Sequence, residues 1–202
     1  MKKKLFVIAM AMLLLAGVTA GTVAYFTTKT VAHNVITTGE IDIELVETWD
    51  HDDNDKTPPV EYPKEKVEGI MPGAEHSKIV NVKNTGPNDA WVRVKVTKSV
   101  KVGGDTLPDS VLTLNFNTTE WIDGKDGYYY YNGVLAPGKE TAKPLFTTVY
   151  FDGEGMGNDY QNAEIVINVE AYATQVANNG ATVLEAKGWP LDIVHTVKTL
   201  LG

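Results

Sequence analysis

Apolar residues recur at every second position in several stretches of this chain, and that period matches a half-buried β-strand rather than a helix. Ile41, Ile43 and Leu45 alternate with Asp42 and Glu44. Val92, Val94 and Val96 alternate with Arg93, Lys95 and Thr97, and Leu112, Leu114 and Phe116 with Thr113, Asn115 and Asn117. In the stretch 163–174, Ile165, Ile167, Val169 and Ala171 form the expected inward face. Ile79–Val82, Tyr128–Asn132 and Leu145–Phe151 supply further short strands. Turn formers separate them at Asn84-Thr85-Gly86-Pro87, Gly103-Gly104-Asp105, Asp123-Gly124, Asn132-Gly133 and Asp152-Gly153. About eight strands at this spacing predict an all-β fold, a jelly-roll-like antiparallel β-sandwich.

Two Pro-Gly pairs repeat a local pattern. Pro72-Gly73 leads to Lys78 and Pro137-Gly138 leads to Lys143 at the same offset. Proline presets φ and glycine allows φ > 0, so both read as type II turns feeding a sheet. The stretch Trp49–Lys66 carries six acidic residues and three prolines without an apolar period. It reads as a long surface loop. At the other end, 176–187 reads as a short helix or an irregular arm. Ile193, Val194, Val197, Leu200 and Leu201 fit one helical face over 192–201. A short C-terminal helical or irregular tail is therefore expected.

The N-terminus has a different character. Lys2, Lys3 and Lys4 precede a 14-residue apolar or small run, Leu5–Val18, and then Ala20, Gly21, Thr22 and Ala24. That order is a secretory signal peptide. Cleavage fits after Ala20 or after Ala24, and an uncleaved anchor from Leu5 to about Phe26 is the alternative, since a span needs about 20 residues. Beyond it, Tyr25–Ile36 holds neither Pro nor Gly and is rich in Thr, Val and Ile, which favour extended structure. One face presents Phe26, Thr28, Thr30, Ala32, Asn34 and Ile36; the other presents Tyr25, Thr27, Lys29, Val31, His33 and Val35. Alone such a strand is marginal, and it gains hydrogen bonds by joining an exposed sheet edge, its own or another subunit's.

The junction Gly21-Thr22-Val23-Ala24-Tyr25-Phe26-Thr27, with Asn34, Thr38-Gly39 and Ile41-Asp42-Ile43, resembles the TasA/camelysin-like secreted proteins that carry a SipW-type signal peptide. Ile70-Met71-Pro72-Gly73, Asp89–Val94, Asp126–Tyr131 and Leu135-Ala136-Pro137-Gly138 before Leu145-Phe146 are similar to a clostridial-type branch of biofilm fibre subunits. The resemblance spans about residues 1–175. It implies a cut between Ala24 and Tyr25 by a SipW-type peptidase. It also implies donor-strand exchange, in which Tyr25–Ile36 of one subunit completes the sheet of the next. Some related fibres are thought to be crosslinked through Lys–Asn or Lys–Asp isopeptide bonds, and Lys29 is the matching candidate here.

Composition limits the chemistry. The chain has no cysteine, so thiol nucleophiles, disulfides and sulfur metal sites are excluded. Its net charge is −8. Loss of the leader lowers the basic residues from 18 to 15 while all 26 acidic ones remain, giving −11. That balance argues against nucleic acid or an anionic membrane as partner. The histidines, His33, His51, His76 and His195, are too scattered for a His-Glu-x-x-His zinc helix, which weighs against the peptidase activity often ascribed to camelysin-like proteins. Asp50, Asp52, Asn54 and Glu61 fall at positions 1, 3, 5 and 12 of a calcium-loop pattern. Asp55 replaces the turn glycine and Pro58-Pro59 replaces the following helix, so a solvated acidic loop is the competing account. Tyr128–Tyr131 alternate faces in a strand, for core packing, a subunit interface or a sugar platform.

The expected organisation is a signal peptide at 1–24, a donor segment at 25–38, a sandwich at 39–175 and a tail at 176–202. The expected function is a non-enzymatic structural subunit of extracellular matrix or cell-surface fibres, a head-to-tail homopolymer without a cofactor, calcium aside. A monomeric adhesin or ligand-binding module is the alternative, and a peptidase the third reading.

Overall fold

The computed structural model describes residues 40–50, 58–63, 71–190 and 195–201, the last as backbone. All of them lie in one compact unit, Thr38–Gly202. The strands in chain order are β1 (Ile43–Trp49), β2 (Val60–Glu61), β3 (Glu75–Ser77), β4 (Ile79–Asn84), β5 (Ala90–Val102), β6 (Asp105–Leu107), β7 (Leu112–Leu114), β8 (Trp121–Asp123), β9 (Tyr129–Tyr131), β10 (Thr148–Phe151), β11 (Glu164–Gln175) and β12 (His195–Leu201). Every pairing between them is antiparallel.

One layer runs β12-β11-β5-β9-β8, with β6 folded onto the end of β5. Its spine is the twelve-rung pairing of β5 with β11, from Ala90↔Gln175 to Lys101↔Glu164. The other layer consists of β2-β1-β4 and β3-β10-β7. Backbone bonds join these two into one continuous surface. Lys78 N–H donates to Thr147 O at 2.8 Å, Val80 N–H to Phe146 O at 3.1 Å, Leu145 N–H to Val80 O at 2.8 Å and Thr141 N–H to Val82 O at 2.9 Å. The chain from 139 to 151 thus runs antiparallel along β4 and β3.

The two layers enclose the core expected from the alternation. Val92, Val94, Ile167, Val169 and Ala171 are fully buried on one side, against Val80, Val82, Leu145, Phe146 and Val149 on the other. A fully buried Val, Leu or Ile contributes about 1.5–3 kcal/mol relative to exposure. The architecture is an all-β, jelly-roll-like antiparallel sandwich.

The turns follow their residues. Gly73 and Gly138 take φ of 81° and 70°. Ala74 N–H donates to Met71 O and Lys139 N–H to Ala136 O, closing two type II turns. The likeness stops there, because Lys143 is exposed while Lys78 is wholly buried. Gly103 and Gly104 both have φ > 0 and make the two-residue β5–β6 hairpin loop.

Two expectations are corrected. The tail is not helical over 195–201: it is β12, paired with β11 from His195↔Ala171 to Leu201↔Ile165. Its apolar residues fit either period over so short a span, and the open β11 edge decides between them. Residues 176–190 form an irregular arm of turns. The segment 49–66 is not wholly a surface loop either. Thr48↔Glu61 and Trp49↔Val60 pair, and Tyr62 is buried.

Candidate functional site

Three features stand out: a buried ion pair, a caged arginine and an open strand edge. The first begins with alternation along β1. Ile43, Leu45 and Glu47 share its inward face, so the sequence delivers a carboxylate into the core. Lys78 sits at the break between β3 and β4 with no exposed surface, and its Nζ meets Glu47 Oε1 at 2.7 Å. The same Nζ lies 4.2 Å from the centre of the Tyr62 ring. Tyr62 Oη and His76 Nε2 are 2.8 Å apart, and Trp49 packs 5.6 Å from His76 and 6.1 Å from Tyr62. Burial pulls the Lys78 ammonium below the usual lysine range, against the opposing charge and hydrogen bond of Glu47. Burial and the Glu47 charge push the Tyr62 hydroxyl well above the usual tyrosine range.

The second feature lies on the outer face of the β5–β11 layer. Arg93 stands in register between Tyr172 and Tyr130. Its guanidinium carbon is 4.0 Å from the Tyr128 ring centre, 4.7 Å from Trp189 and 5.3 Å from Tyr172. Its Nε has no hydrogen-bond partner among the described residues, so the rings provide its surroundings. Tyr130 Oη donates to Asp126 Oδ2 at 2.6 Å. Burial opposes ionisation of Asp126, but hydrogen bonds from Tyr130 and the Tyr128 amide, with the Arg93 charge, hold its carboxyl below the usual range. Burial and a hydrogen bond to Glu170 push the Tyr172 hydroxyl up to about 12.

Trp189 reaches this cage because the arm 176–190 is stapled over it. Asn179 Nδ2 donates to Gln175 O and Lys187 O, both at 2.9 Å, and Asn179 Oδ1 accepts from Lys187 N–H at 2.7 Å. Trp91 Nε1–H donates to Asn179 O at 3.1 Å. Val183 and Ala186 pack with Trp91 and Tyr130 beneath.

The tyrosine block divides as alternation requires. Tyr131 is a core residue and tilts against Trp121, while Tyr129 packs against the core and stacks on Phe116 at 4.1 Å. Tyr128 and Tyr130 belong to the outer cluster under the arm, so the outward pair forms part of the cage instead of an open platform.

The third feature is the outer edge of β1. Tyr62 N–H donates to Glu47 O there, and β2 pairs only at Thr48 and Trp49. By alternation the amide groups of Ile43 and Leu45 point the same way. Among the described residues, no strand pairs with that edge before Glu47. Upstream, the chain is fixed to the turn after β4. Asp42 O accepts from Thr85 N–H and Gly86 N–H, both at 3.0 Å, and Glu40 O accepts from Asn88 Nδ2 at 3.1 Å.

The sequence-derived sites are distributed unevenly. Ala24, Tyr25, Phe26, Thr28, Lys29, Thr30, Val31, Ala32, Asn34, Val35 and Ile36 lie outside the described residues, as do Asp52 and Asn54. Of the calcium candidates, Asp50 donates its backbone N–H to Ser77 Oγ at 2.9 Å and Glu61 pairs with Thr48 in β2. Among the described residues, no three His, Asp or Glu side chains converge as a metal site. Sequence reading missed Lys78, Glu47 and Arg93. The signal available for Glu47 was its inward parity with Ile43 and Leu45, and for Arg93 only its outward parity between Val92 and Val94.

No family model matches the chain, and no curated protein matches it. Among solved structures it is similar to the ASH / PapD-like domain of human CEP192 (PapD-like domain 7), with a TM-score of 0.38 and 10% sequence identity, over 85% of this chain and 92% of that one.

Proposed function

We propose that this chain is an exported structural subunit of extracellular matrix or cell-surface fibres, and that signal cleavage frees its N-terminal segment to complete the sheet of the next copy. The observation that carries this reading is the order of parts along the chain. A cleavable leader is followed at once by a strand-forming segment, Tyr25–Ile36, and then by a sandwich whose first strand lies near a sheet edge. A segment tethered to the membrane cannot insert into a neighbour, so cleavage between Ala24 and Tyr25 is the trigger. A net backbone hydrogen bond contributes about 0.5–1.5 kcal/mol, so a row of them holds one subunit to the next. A head-to-tail contact that does not close on itself grows as a filament. In this reading the chain is a building element, not a catalyst.

Electron microscopy of protein beginning at Tyr25, beside protein lacking residues 25–36, tests the reading. Fibres from the first and monodisperse particles from the second are expected. Monodisperse particles from both would end it.

A further inference from the structure

Resting on that reading, we infer that the acceptor of the incoming Tyr25–Ile36 strand is the outer edge of β1, along Ile43–Glu47, and that charge guides the choice. Several strand edges compete for the role among the described residues. β2 is two residues long and β6, β7 and β8 are three each, and they offer little ladder to a long strand. β12 offers seven residues, and β1 leaves Ile43–Val46 unpaired on this edge, ahead of the stretch that β2 and Tyr62 already use. β12 carries His195 and Lys198 and no acidic residue. The incoming segment carries Lys29 and His33 and no acidic residue, so it meets like charge at β12.

β1 presents the opposite sign. Glu40, Asp42 and Glu44 are all exposed and alternate with Ile41, Ile43 and Leu45. The faces then agree with one another. If Lys29 and His33 lie on the side of this acidic row, period two places Phe26, Ala32 and Ile36 on the side of Ile43 and Leu45, where the core is. The backbone is also ready. Tyr62 N–H already uses Glu47 O on this edge, and the next groups in line belong to Leu45 and Ile43. β1 contains neither Pro nor Gly to interrupt a ladder.

The occupant is the segment of a second copy. The chain's own segment pairing back on β1, a strand added at β12, and one added at β8 are the other outcomes. Because the chain has no cysteine, engineered disulfides report the edge directly. Protein beginning at Tyr25 and carrying Glu44→Cys is mixed with protein carrying Thr27→Cys or Val31→Cys, and oxidised during assembly. The expected result is a disulfide-linked dimer between the two species in the fibres. Fibres whose donor cysteine links to Lys198→Cys or Ile122→Cys instead would overturn the β1 edge and leave donor-strand assembly standing. A disulfide within one chain carrying both Val31→Cys and Glu44→Cys at high dilution, without dimers, would overturn it in favour of self-pairing. Absence of fibres and of crosslinks would overturn both.

A charge swap provides the second measurement. Asp42→Lys with Glu44→Lys is expected to slow fibre growth about tenfold, and Lys29→Glu in the same chain to restore most of that rate. Loss without restoration would overturn the role assigned to charge.

Discussion

Lys78 Nζ and Glu47 Oε1 meet at 2.7 Å with 0% and 6% of their side chains exposed, at the junction of the two sheet segments that make one layer. Removing one partner leaves the other charge in the core. Lys78→Met is expected to cost about 3–5 kcal/mol, whereas Lys78→Met with Glu47→Leu should return to within about 1 kcal/mol of the parent. Urea denaturation of the two single variants and the double variant checks this. Additive losses would show that the two side chains do not act as a pair.

Gly86 tests the fixing of the N-terminal chain. A Cβ there would stand 2.7 Å from Asp42 N, at the point where Asp42 O accepts two amide hydrogens. Gly86→Ala is expected to destabilise by about 1–3 kcal/mol, because backbone on both sides must move. Gly157→Ala, where a Cβ would meet nothing within 4 Å, serves as the control and should change stability by no more than about 0.5 kcal/mol. Equal effects in thermal or urea unfolding would contradict the crowding.

The arginine cage predicts a poor exchange with lysine. The planar guanidinium covers Tyr128 and Trp189 at 4.0 and 4.7 Å, and an ammonium does not reproduce that stacking. Arg93→Lys is expected to cost about 1 kcal/mol and Arg93→Ala about 2 kcal/mol. Hydrogen exchange supplies the specific readout. Trp189→Ala should raise exchange over the arm 176–190 while β5 and β11 keep their protection. Uniform loss across the sheet would mean the arm is not held by the cage.

Tyrosine sets an alkaline limit. Unfolded tyrosines ionise near 10.0, while burial and Glu170 hold Tyr172 protonated to about 12, and Tyr62, Tyr129 and Tyr130 also shift upward. Above pH 10 the folded chain keeps protons that the unfolded chain has lost, so stability falls as pH rises through that window. Lys78 acts in the other direction. Its lowered value means that the unfolded chain binds the proton more tightly below 10.5, so its contribution grows with pH up to that point. Absorbance at the phenolate band, followed together with circular dichroism, should show these tyrosines ionising late and with loss of structure. Full ionisation near pH 10 with the fold intact would refute the burial argument.

Much of the architecture is legible in local pattern. The strict alternation of Val92, Val94 and Val96, and of Ile165 through Ala171, marks the two longest strands, β5 and β11, and their buried faces. Tyr128–Tyr131 divide between core and surface as a pleated strand demands. Some short elements were not legible. β2, β6 and β8 span two or three residues, too few for a period, and form because a neighbour's edge lies beside them.

The amino-acid sequence by itself determined the all-β class, the alternating faces, the two Pro-Gly turns and the absence of thiol and disulfide chemistry. Each follows from the nearest few residues or from a bare count. Tertiary structure alone decided that 195–201 is a strand, that Lys78 is buried on Glu47, that Arg93 sits under Trp189 and that β1 leaves an edge open among the described residues. These arise between residues far apart in the chain, where burial and the demand for backbone hydrogen bonds outweigh local preference.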